Sequence, residues 1–440
     1  MKIYDSRTTQ KVALPNQPIT IYNCGPTVYN EVHIGNIRPL LTFDFLFRYL
    51  KAIGVDVKYM HNITDVDDKI INRAQEEHTT EAAVSQKYTK AYFDVMKSLN
   101  VLKMDYLPKV TENIEGIIDY VNRLIKLDKA YIAKDGDVYF KIDAVKDTYG
   151  EISKQKINEL LKGVRKENKS NKINPLDFVL WKNTDVGVNW KSPWNEHGRP
   201  GWHTECAYFI NKNFGDNITI HGGGIDLKFP HHENENAQNI ALTGKEMAQI
   251  WMHVGHVNVN NQKMSKSLNN FIYARELIDK YGNNTIRWFF LQTKFENPIN
   301  YSESLMVEAQ NSLEKLFRSI NNILIQLILN DHPFTFDKNS HLIEAFKAYM
   351  EDDLNFPKVV SLIQSQVKDL NAIFKQKDYV KLNQQINDLI QEFNTLGIIY
   401  EPTFNREVNS LINNYKKALA KKDYAKSDAI RQELVNLKII

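Results

Sequence analysis

The sequence predicts an α/β protein in which a doubly wound parallel sheet is followed by an all-α portion. Near the start, QPITIYNC (17–24) reads as a strand, IRPLLTFDFLFRYLKAIG (37–54) has apolar residues at helical spacing, and VDVKYMHNITD (55–65) resembles a second strand. Strand, glycine turn, helix and strand in this order form the βαβ unit of a parallel sheet. From about residue 304 glycine nearly vanishes while helical periodicity continues, which predicts a separate helical portion.

The middle of the chain returns to the sheet after an interruption. Residues 81–130 are mostly helical in pattern, and 151–173 form a basic, polar stretch typical of an insertion. Strand patterns then reappear at DFVLW (177–181) and NITIHGGG (217–224). We therefore expect one sheet domain with an inserted segment.

Composition excludes several classes of protein. The 440 residues are 42% hydrophobic and 25% charged with a net charge of +3, which is ordinary for a globular protein and too weak a bias to indicate a nucleic-acid partner. The start has no apolar signal region and no apolar run reaches the length of a membrane span, so we expect a cytoplasmic protein without membrane contact. Only two cysteines occur, which excludes a disulfide framework.

A metal-ligand pattern lies in FPHHENE (229–235). His231 and Glu235 are four residues apart and share one face if a helix begins near Pro230. Zinc takes four ligands from cysteine, histidine and carboxylate, and the two thiols, Cys24 and Cys206, adjoin strand patterns. Each cysteine could instead fill a core, because cysteine is among the most buried residue types. The combination favours a Cys-Cys-His-Glu zinc site.

Two further segments have the residues that phosphate binding requires. In CGPTVYNEVHIGNIR, His33, Gly35 and Asn36 stand at the start of the predicted helix, where free N–H groups and the helix dipole attract anions. In NNQKMSKSLNN, Lys263 and Lys266 can clamp a triphosphate as pyrophosphate leaves. Taken alone, either motif is weak, and a pair of lysines is more often a solvated face. Their joint presence predicts a nucleotide site.

The set of motifs resembles the class I aminoacyl-tRNA synthetases, and among them the cysteinyl-tRNA synthetase family. HIGN at 33–36 is similar to the signature HIGH of the class, and KMSKS at 263–267 matches its second signature completely. Stretches typical of the cysteine-specific family extend from residue 23 to about 304: NCGPTVYN, NITDVDDKI, NPLDFVLWK, SPW, GRPGWHTEC, HGGGIDLKFPHHENE and NYSE.

Site residues follow from this resemblance by position. It implies zinc ligands at Cys24, Cys206, His231 and Glu235. It implies catalytic roles for His33, Asn36, Lys263 and Lys266, and ATP contacts from these four and from Gly35, Gly222, Gly223, Gly224 and Asp226. Asp226 could bind either the ribose or the substrate amine. It implies cysteine contacts from Gly25, Thr64 and Trp202, with a core position as the alternative for Trp202.

The chain departs from the family pattern in two places. Asn36 replaces the second histidine of the HIGH signature, so this position can donate a hydrogen bond but cannot carry a charge. The chain ends in NLKII where the family continues to a Gly-Thr-x-Trp tail, so we expect the anticodon-reading end to be incomplete.

Domain boundaries are predicted from these patterns. A Rossmann-like catalytic domain occupies 1–115 and 176–245, the second part with the zinc site, and is interrupted by a connective insertion at 116–175. A KMSKS-bearing stem-contact region follows at 246–303. The all-α C-terminal helical bundle, expected to bind tRNA, covers 304–400, with an anticodon-binding region at 401–440.

The resemblance implies a cysteine–tRNA ligase that uses ATP with Mg²⁺, L-cysteine and tRNA(Cys), holds one Zn²⁺ per chain and acts as a monomer. The zinc would select the thiolate of cysteine over the hydroxyl of serine. One alternative is a ligase of mycothiol type that joins cysteine to an amino sugar with the same core. A second is a non-catalytic zinc protein that binds RNA, which would have no need for a phosphate clamp.

Overall fold

The computed structural model describes residues 1–16, 18–156, 171–264, 270–337, 340–437 and 439–440. These residues form two compact units. The first unit contains 1–258, 263–276 and 295–299, and the second contains 259–262, 277–294 and 300–440.

Strands and helices alternate through the first unit. The strands are β1 Lys2–Asp5, β2 Gln10–Ala13, β3 Ile19–Asn23, β4 Val57–His61, β5 Ala130–Ile132, β6 Val138–Phe140, β7 Phe178–Asn183, β8 Gly198–Pro200, β9 Ile218–Gly224 and β10 Ala248–Val254. The helices are α1 Ile34–Ala52, α2 Asp68–Glu76, α3 Glu81–Ser98, α4 Ile114–Lys126, α5 Trp202–Phe214 and α6 His231–Thr243. Three short strands, β11 Val257–Val259, β12 Gln262–Lys263 and β13 Ile299–Tyr301, and helix α7 Ala274–Phe290 lie where the chain passes between the units.

A four-stranded parallel sheet forms the centre of the first unit, in the order β10-β9-β3-β4. Its strands are largely buried on both faces, which explains why they read as nearly continuous apolar runs. Helix α1 connects β3 to β4 and buries most of its length. The βαβ unit and the doubly wound α/β class are therefore confirmed. The carboxyl ends of β3, β9 and β10 meet at one edge of the sheet.

A second, antiparallel sheet of β5-β6-β7-β8 packs with α4, α5 and α6 around the apolar cluster that contains Cys206. β5 and β6 belong to the predicted insertion at 116–175, whereas residues 157–170 of that insertion lie outside the described residues. The boundaries of the insertion stay a prediction.

Helices dominate the second unit, as the glycine-poor sequence predicts. They are α8 Glu303–Leu329, α9 Glu344–Glu351, α10 Phe356–Lys375, α11 Tyr379–Thr395, α12 Arg406–Ala420 and α13 Tyr424–Asn436. Apolar residues at helical spacing, such as Leu382, Ile386 and Leu389 on α11, face the interior. No helix in the described part of the chain combines the length and apolar character of a membrane span.

Candidate metal centre and adjoining cavity

The four predicted metal ligands come together at the edge of the parallel sheet. Cys24 directly follows β3, Cys206 lies in α5, and His231 and Glu235 lie one turn apart at the start of α6. Their ligand atoms are all within 4.8 Å of one another. The sequence separates Cys24 from Glu235 by more than 200 residues, and the sheet and the two helices bring them together.

Distances within this cluster fit a tetrahedral ion. Cys24 Sγ lies 3.6 Å from Glu235 Oε1, and Cys206 Sγ lies 3.7 Å from His231 Nε2. Metal–ligand bonds of 2.0–2.3 Å require ligand atoms to be separated by roughly 3.3–3.8 Å in a tetrahedron. His231 Nε2 and Glu235 Oε1 are closer, at 2.6 Å, which is the distance of a charge-assisted hydrogen bond. The cluster of two sulfurs, one nitrogen and one oxygen is compatible with zinc.

Burial and mutual charge govern protonation in the cluster. Burial alone would lower the pKa of His231, but the Glu235 carboxylate and the Cys206 sulfur raise it to about 10. Burial, with Cys206 and Glu235 nearby, raises the pKa of the Cys24 thiol. Buried groups of this kind release their protons when a cation takes their place, since metal ligands bind deprotonated.

A second set of four potential ligands shares two members with the first. His221 and His232 meet Cys24 and Glu235, again with all ligand atoms within 4.8 Å. His221 Nε2 lies 2.5 Å from Glu235 Oε2, and His232 Nε2 lies 3.5 Å from Cys24 Sγ. His221, the first residue of the HGGG run, was not predicted to belong to the site. The one feature of the sequence that could have indicated a site role for His221 is its position at a strand end, immediately before three glycines.

Further histidines surround the ligands and are neutral. His203 Nδ1 lies 2.9 Å from His231 Nδ1, and His253 Nε2 lies 2.8 Å from His232 Nδ1. Burial lowers the pKa of His203 and of His253 to about 3. Neutral imidazoles of this kind orient the ligand histidines by hydrogen bonding.

A cavity of about 670 Å³ adjoins the cluster within the first unit. It is lined by nine of the predicted site residues: Cys24, Gly25, His33, Gly35, Asn36, Trp202, Gly224, Asp226 and Lys263. Thr64, Gly222 and Gly223 do not line it. Lys266 lies outside the described residues, so its place in the site stays a prediction.

The first turn of α1 presents hydrogen-bond donors to this cavity. His33 is the N-cap of α1, and its Nδ1 accepts the Gly35 N–H at 3.1 Å. Burial lowers the pKa of His33 to about 4, so the ring is neutral and its proton is on Nε2. The side chain of Asn36 accepts the His33 N–H through its oxygen, at 3.0 Å.

Close packing requires glycine at positions 222 and 35, and Thr64 supports the cavity through hydrogen bonds. A Cβ on Gly222 would come within 2.1 Å of Met252 O, and one on Gly35 within 2.8 Å of Met264 Cε. Thr64 is buried and donates its hydroxyl to Glu205, at 3.0 Å. Asn62 donates through Nδ2 to Thr64 Oγ1 and accepts the Gly25 N–H through Oδ1. Thr64 therefore supports the backbone at Gly25 indirectly, through Asn62.

Other cavity-lining residues were not predicted as site residues. They are Tyr29, His61, Lys69, Tyr92 and His256, among others. Lys69 belongs to NITDVDDKI, one of the stretches typical of the family that the sequence resembles. The residues around Lys69 do not distinguish it from an ordinary surface lysine. Trp202 stacks on His231 with ring centroids 4.1 Å apart, which agrees with a place at the pocket wall.

Comparisons with known proteins point to one family. Residues 10–311 match the family model of the tRNA synthetases class I (C) catalytic domain. The chain is 44% identical over 451 residues to the cysteine--tRNA ligase of Malacoplasma penetrans, covering 100% of both chains. It is 44% identical over 441 residues to that of Ureaplasma parvum, again over 100% of both, and 37% identical to that of Mycoplasma genitalium, over 98% and 99%.

Solved structures show the same fold at low identity. Methionyl-tRNA synthetase of Mycobacterium tuberculosis, in complex with methionyl-adenylate, superposes with a TM-score of 0.64 at 13% identity and covers 91% of each chain. A putative arginyl-tRNA synthetase from Campylobacter jejuni superposes with a TM-score of 0.60 at 11% identity, covering 89% of this chain and 95% of its own.

Proposed function

The chain belongs to the cysteine–tRNA ligase family of class I aminoacyl-tRNA synthetases, and from this we propose that it activates L-cysteine with ATP and transfers the cysteinyl group to the 3′ end of tRNA(Cys). The observation that carries the proposal is the Cys24–Cys206–His231–Glu235 cluster, which reaches through Cys24 a cavity that the first turn of α1 also lines. A metal held by the cluster would bind a thiolate, and His33, Asn36 and Lys263 in the cavity lining can bind phosphate.

Zinc fits the cluster by donor set and spacing, and it would be held by Cys24, Cys206, His231 and Glu235. When bound, it would supply a Lewis acid that prefers a thiolate to an alcohol. A pocket that recognises shape alone distinguishes such close analogues only about 10–200-fold. His203 forms a hydrogen bond with His231, and Trp202 stacks on the same ring. Both contacts fix the orientation of the His231 imidazole, which helps the site to distinguish cysteine from serine.

The activation step needs orientation and charge neutralisation. A carboxylate oxygen of cysteine forms a bond to the α-phosphorus of ATP, the bond to the bridging oxygen breaks, and pyrophosphate leaves with the electron pair. The carboxylate is already a nucleophile, so no general base is required. His33 Nε2–H and Asn36 Nδ2 would donate to the phosphates. Lys263 and Lys266 would hold the β- and γ-phosphates together with Mg²⁺.

Transfer follows in the same cavity. A hydroxyl oxygen of the terminal ribose forms an ester with the cysteinyl carbonyl carbon, the bond from that carbon to the phosphate oxygen breaks, and AMP leaves with the electron pair as the hydroxyl releases its proton. The sugar-ligase alternative is not favoured, because the relatives that match the whole chain, including residues 304–440, are cysteine–tRNA ligases.

Cysteine-dependent exchange of pyrophosphate into ATP tests the first step. We expect exchange with cysteine and at least 10²-fold less with serine, because a hydroxyl is a poor zinc ligand. Equal exchange with both amino acids would overturn the role of the cluster. Absence of exchange with cysteine would overturn the proposal.

A further inference from the structure

Three side chains converge at the cavity, and two of them, Tyr29 and Lys69, have no role in the chemistry proposed above. Tyr29 lies in the loop between β3 and α1, Lys69 lies in the first turn of α2, and Trp202 is the first residue of α5. Lys69 Nζ is 5.5 Å from the ring centroid of Tyr29 and 6.0 Å from that of Trp202. All three line the cavity. We name this group the Tyr29–Lys69–Trp202 platform.

The ammonium of Lys69 is available to a ligand. Within the described ranges of the chain it forms no ion pair, and the residue is exposed. The two adjacent carboxylates are otherwise engaged. Asp67 caps α2 by accepting the Lys69 backbone N–H at 2.8 Å, and Asp68 pairs with Arg199 and Lys182. The Lys69 cation therefore faces two aromatic rings and the cavity, and it attracts the Asp67 carboxylate without forming a direct ion pair with it.

The position of the platform indicates which substrate it serves. Trp202 stacks on His231, so the platform adjoins the metal cluster, where the amino acid would lie. The groups proposed to bind ATP, among them His33, Asp226 and Lys263, come from other segments. The substrate left without a described contact is the tRNA end, whose terminal ribose must reach the aminoacyl group.

The chemistry of the platform suits a single-stranded nucleic-acid end. Aromatic rings stack on any base because every base has a π face, and a nearby cation neutralises the phosphate. The rings are partly exposed, as a stacking surface must be, with Trp202 at 37%. A free ammonium on the amino acid would be repelled by Lys69, which argues against this platform as the amine site.

We propose that the Tyr29–Lys69–Trp202 platform binds the 3′-terminal nucleotide of the tRNA, with its base on the aromatic rings and its phosphate at Lys69. This inference rests on the proposed function and deepens it, because it assigns residues to the second step of the reaction. Lys69 and Tyr29 would place the ribose for attack and would contribute less to adenylate formation.

The test compares the two steps in the same variants. The rate of transfer from preformed cysteinyl-adenylate to tRNA is measured in single turnovers, and cysteine-dependent pyrophosphate exchange is measured in parallel. We expect Lys69→Ala and Tyr29→Ala each to lower the ratio of transfer to exchange at least about fivefold. Tyr29→Ala loses a stacking contact, which typically weakens binding by about 5- to 150-fold, and Lys69→Ala loses the charge at the phosphate. Lys69→Arg and Tyr29→Phe should keep most of the ratio, because each retains the charge or the ring.

Lys51→Ala is the matched control, because Lys51 is also exposed and lies 4.7 Å from the Phe47 ring centroid, but away from the cavity. Its ratio should equal that of the wild type. If Lys69→Ala lowers exchange as much as transfer, Lys69 contributes to adenylate formation and the inference is overturned. An unchanged ratio of transfer to exchange would overturn it as well. A wild-type chain that exchanges pyrophosphate but transfers nothing would overturn the proposed function itself, and the inference with it.

Discussion

The side-chain oxygen of Asn36 accepts the backbone N–H of His33 across 3.0 Å and closes a capping box at the start of α1. The His33 ring accepts the Gly35 N–H in return. Asn36 thus uses its oxygen for the cap and keeps its Nδ2 as a donor, with no hydrogen-bond partner among the described residues. An asparagine at this position can therefore cap the helix and still donate a hydrogen bond to a ligand.

Replacement of Asn36 separates its two roles. We predict that Asn36→Ala slows pyrophosphate exchange by about 10²-fold, near the lower end of the effect of one lost transition-state donor. Asn36→Asp retains the capping oxygen but loses the donor, so it should slow exchange at least as much while leaving thermal stability near that of the wild type. Asn36→His should stay within a few-fold. Exchange at the wild-type rate in the alanine variant would show that Asn36 has no catalytic role.

The second prediction concerns the lysine clamp. Lys266→Ala should lower the kcat of pyrophosphate exchange far more than it raises the KM for cysteine, because the contact strengthens as pyrophosphate departs. Lys103→Ala, a lysine outside the cavity lining, is the control. Equal losses in kcat and in cysteine binding would mean that Lys266 binds only the ground state.

Metal content distinguishes the two overlapping ligand sets. We predict one zinc per chain in the wild type and little or none in Cys206→Ser, because two thiolates dominate the affinity. His221→Ala should retain zinc under saturating conditions with affinity reduced by about 10–100-fold, as expected for a residue that only orients Glu235. Zinc retained by Cys206→Ser and lost by His221→Ala, measured by elemental analysis, would assign the metal to the Cys24–His221–His232–Glu235 set instead.

A pH dependence is expected from the helical unit. Gln366 Nε2 donates to Glu392 Oε1 at 3.1 Å between α10 and α11, while Glu392 Oε2 and Gln366 Oε1 have no partner among the described residues. A proton on Oε2 would satisfy both atoms. Burial raises the pKa of Glu392 to about 8, and the nearby Asp388 adds to this.

The sign follows from proton binding. The folded chain keeps the Glu392 proton up to about pH 8, whereas the unfolded chain releases it near the usual pKa of about 4.3. Between these two pH values the folded chain binds more protons than the unfolded chain. The free energy of unfolding therefore falls as pH rises, by at most about 1.4 kcal/mol per pH unit. Glu392→Gln keeps both hydrogen bonds without titrating and should lack this slope. Chemical denaturation of both proteins from pH 5 to pH 8.5 measures the difference. Parallel pH profiles would contradict a protonated Glu392.

Local periodicity was enough to predict the sheet core and the helical unit, because β3, α1 and β4 have clear apolar patterns. The four predicted ligands were found through their motifs, and the structure brings them together. Local patterns could not reveal that His221 reaches Glu235 or that Lys69 faces Tyr29, since both contacts depend on how distant segments pack. Thr64 was expected at the substrate, but its neighbourhood depends on Glu205, 141 residues away.

Transfer of labelled cysteine to tRNA tests the central claim most directly. Purified chain is incubated with ATP, Mg²⁺, labelled cysteine and tRNA(Cys), with an amino-sugar acceptor and a non-cognate tRNA as parallel controls. We predict that label accumulates on the 3′ end of tRNA(Cys), that neither control accepts it, and that Cys206→Ser abolishes the transfer. Label on the amino sugar, or wild-type transfer by Cys206→Ser, would contradict this account.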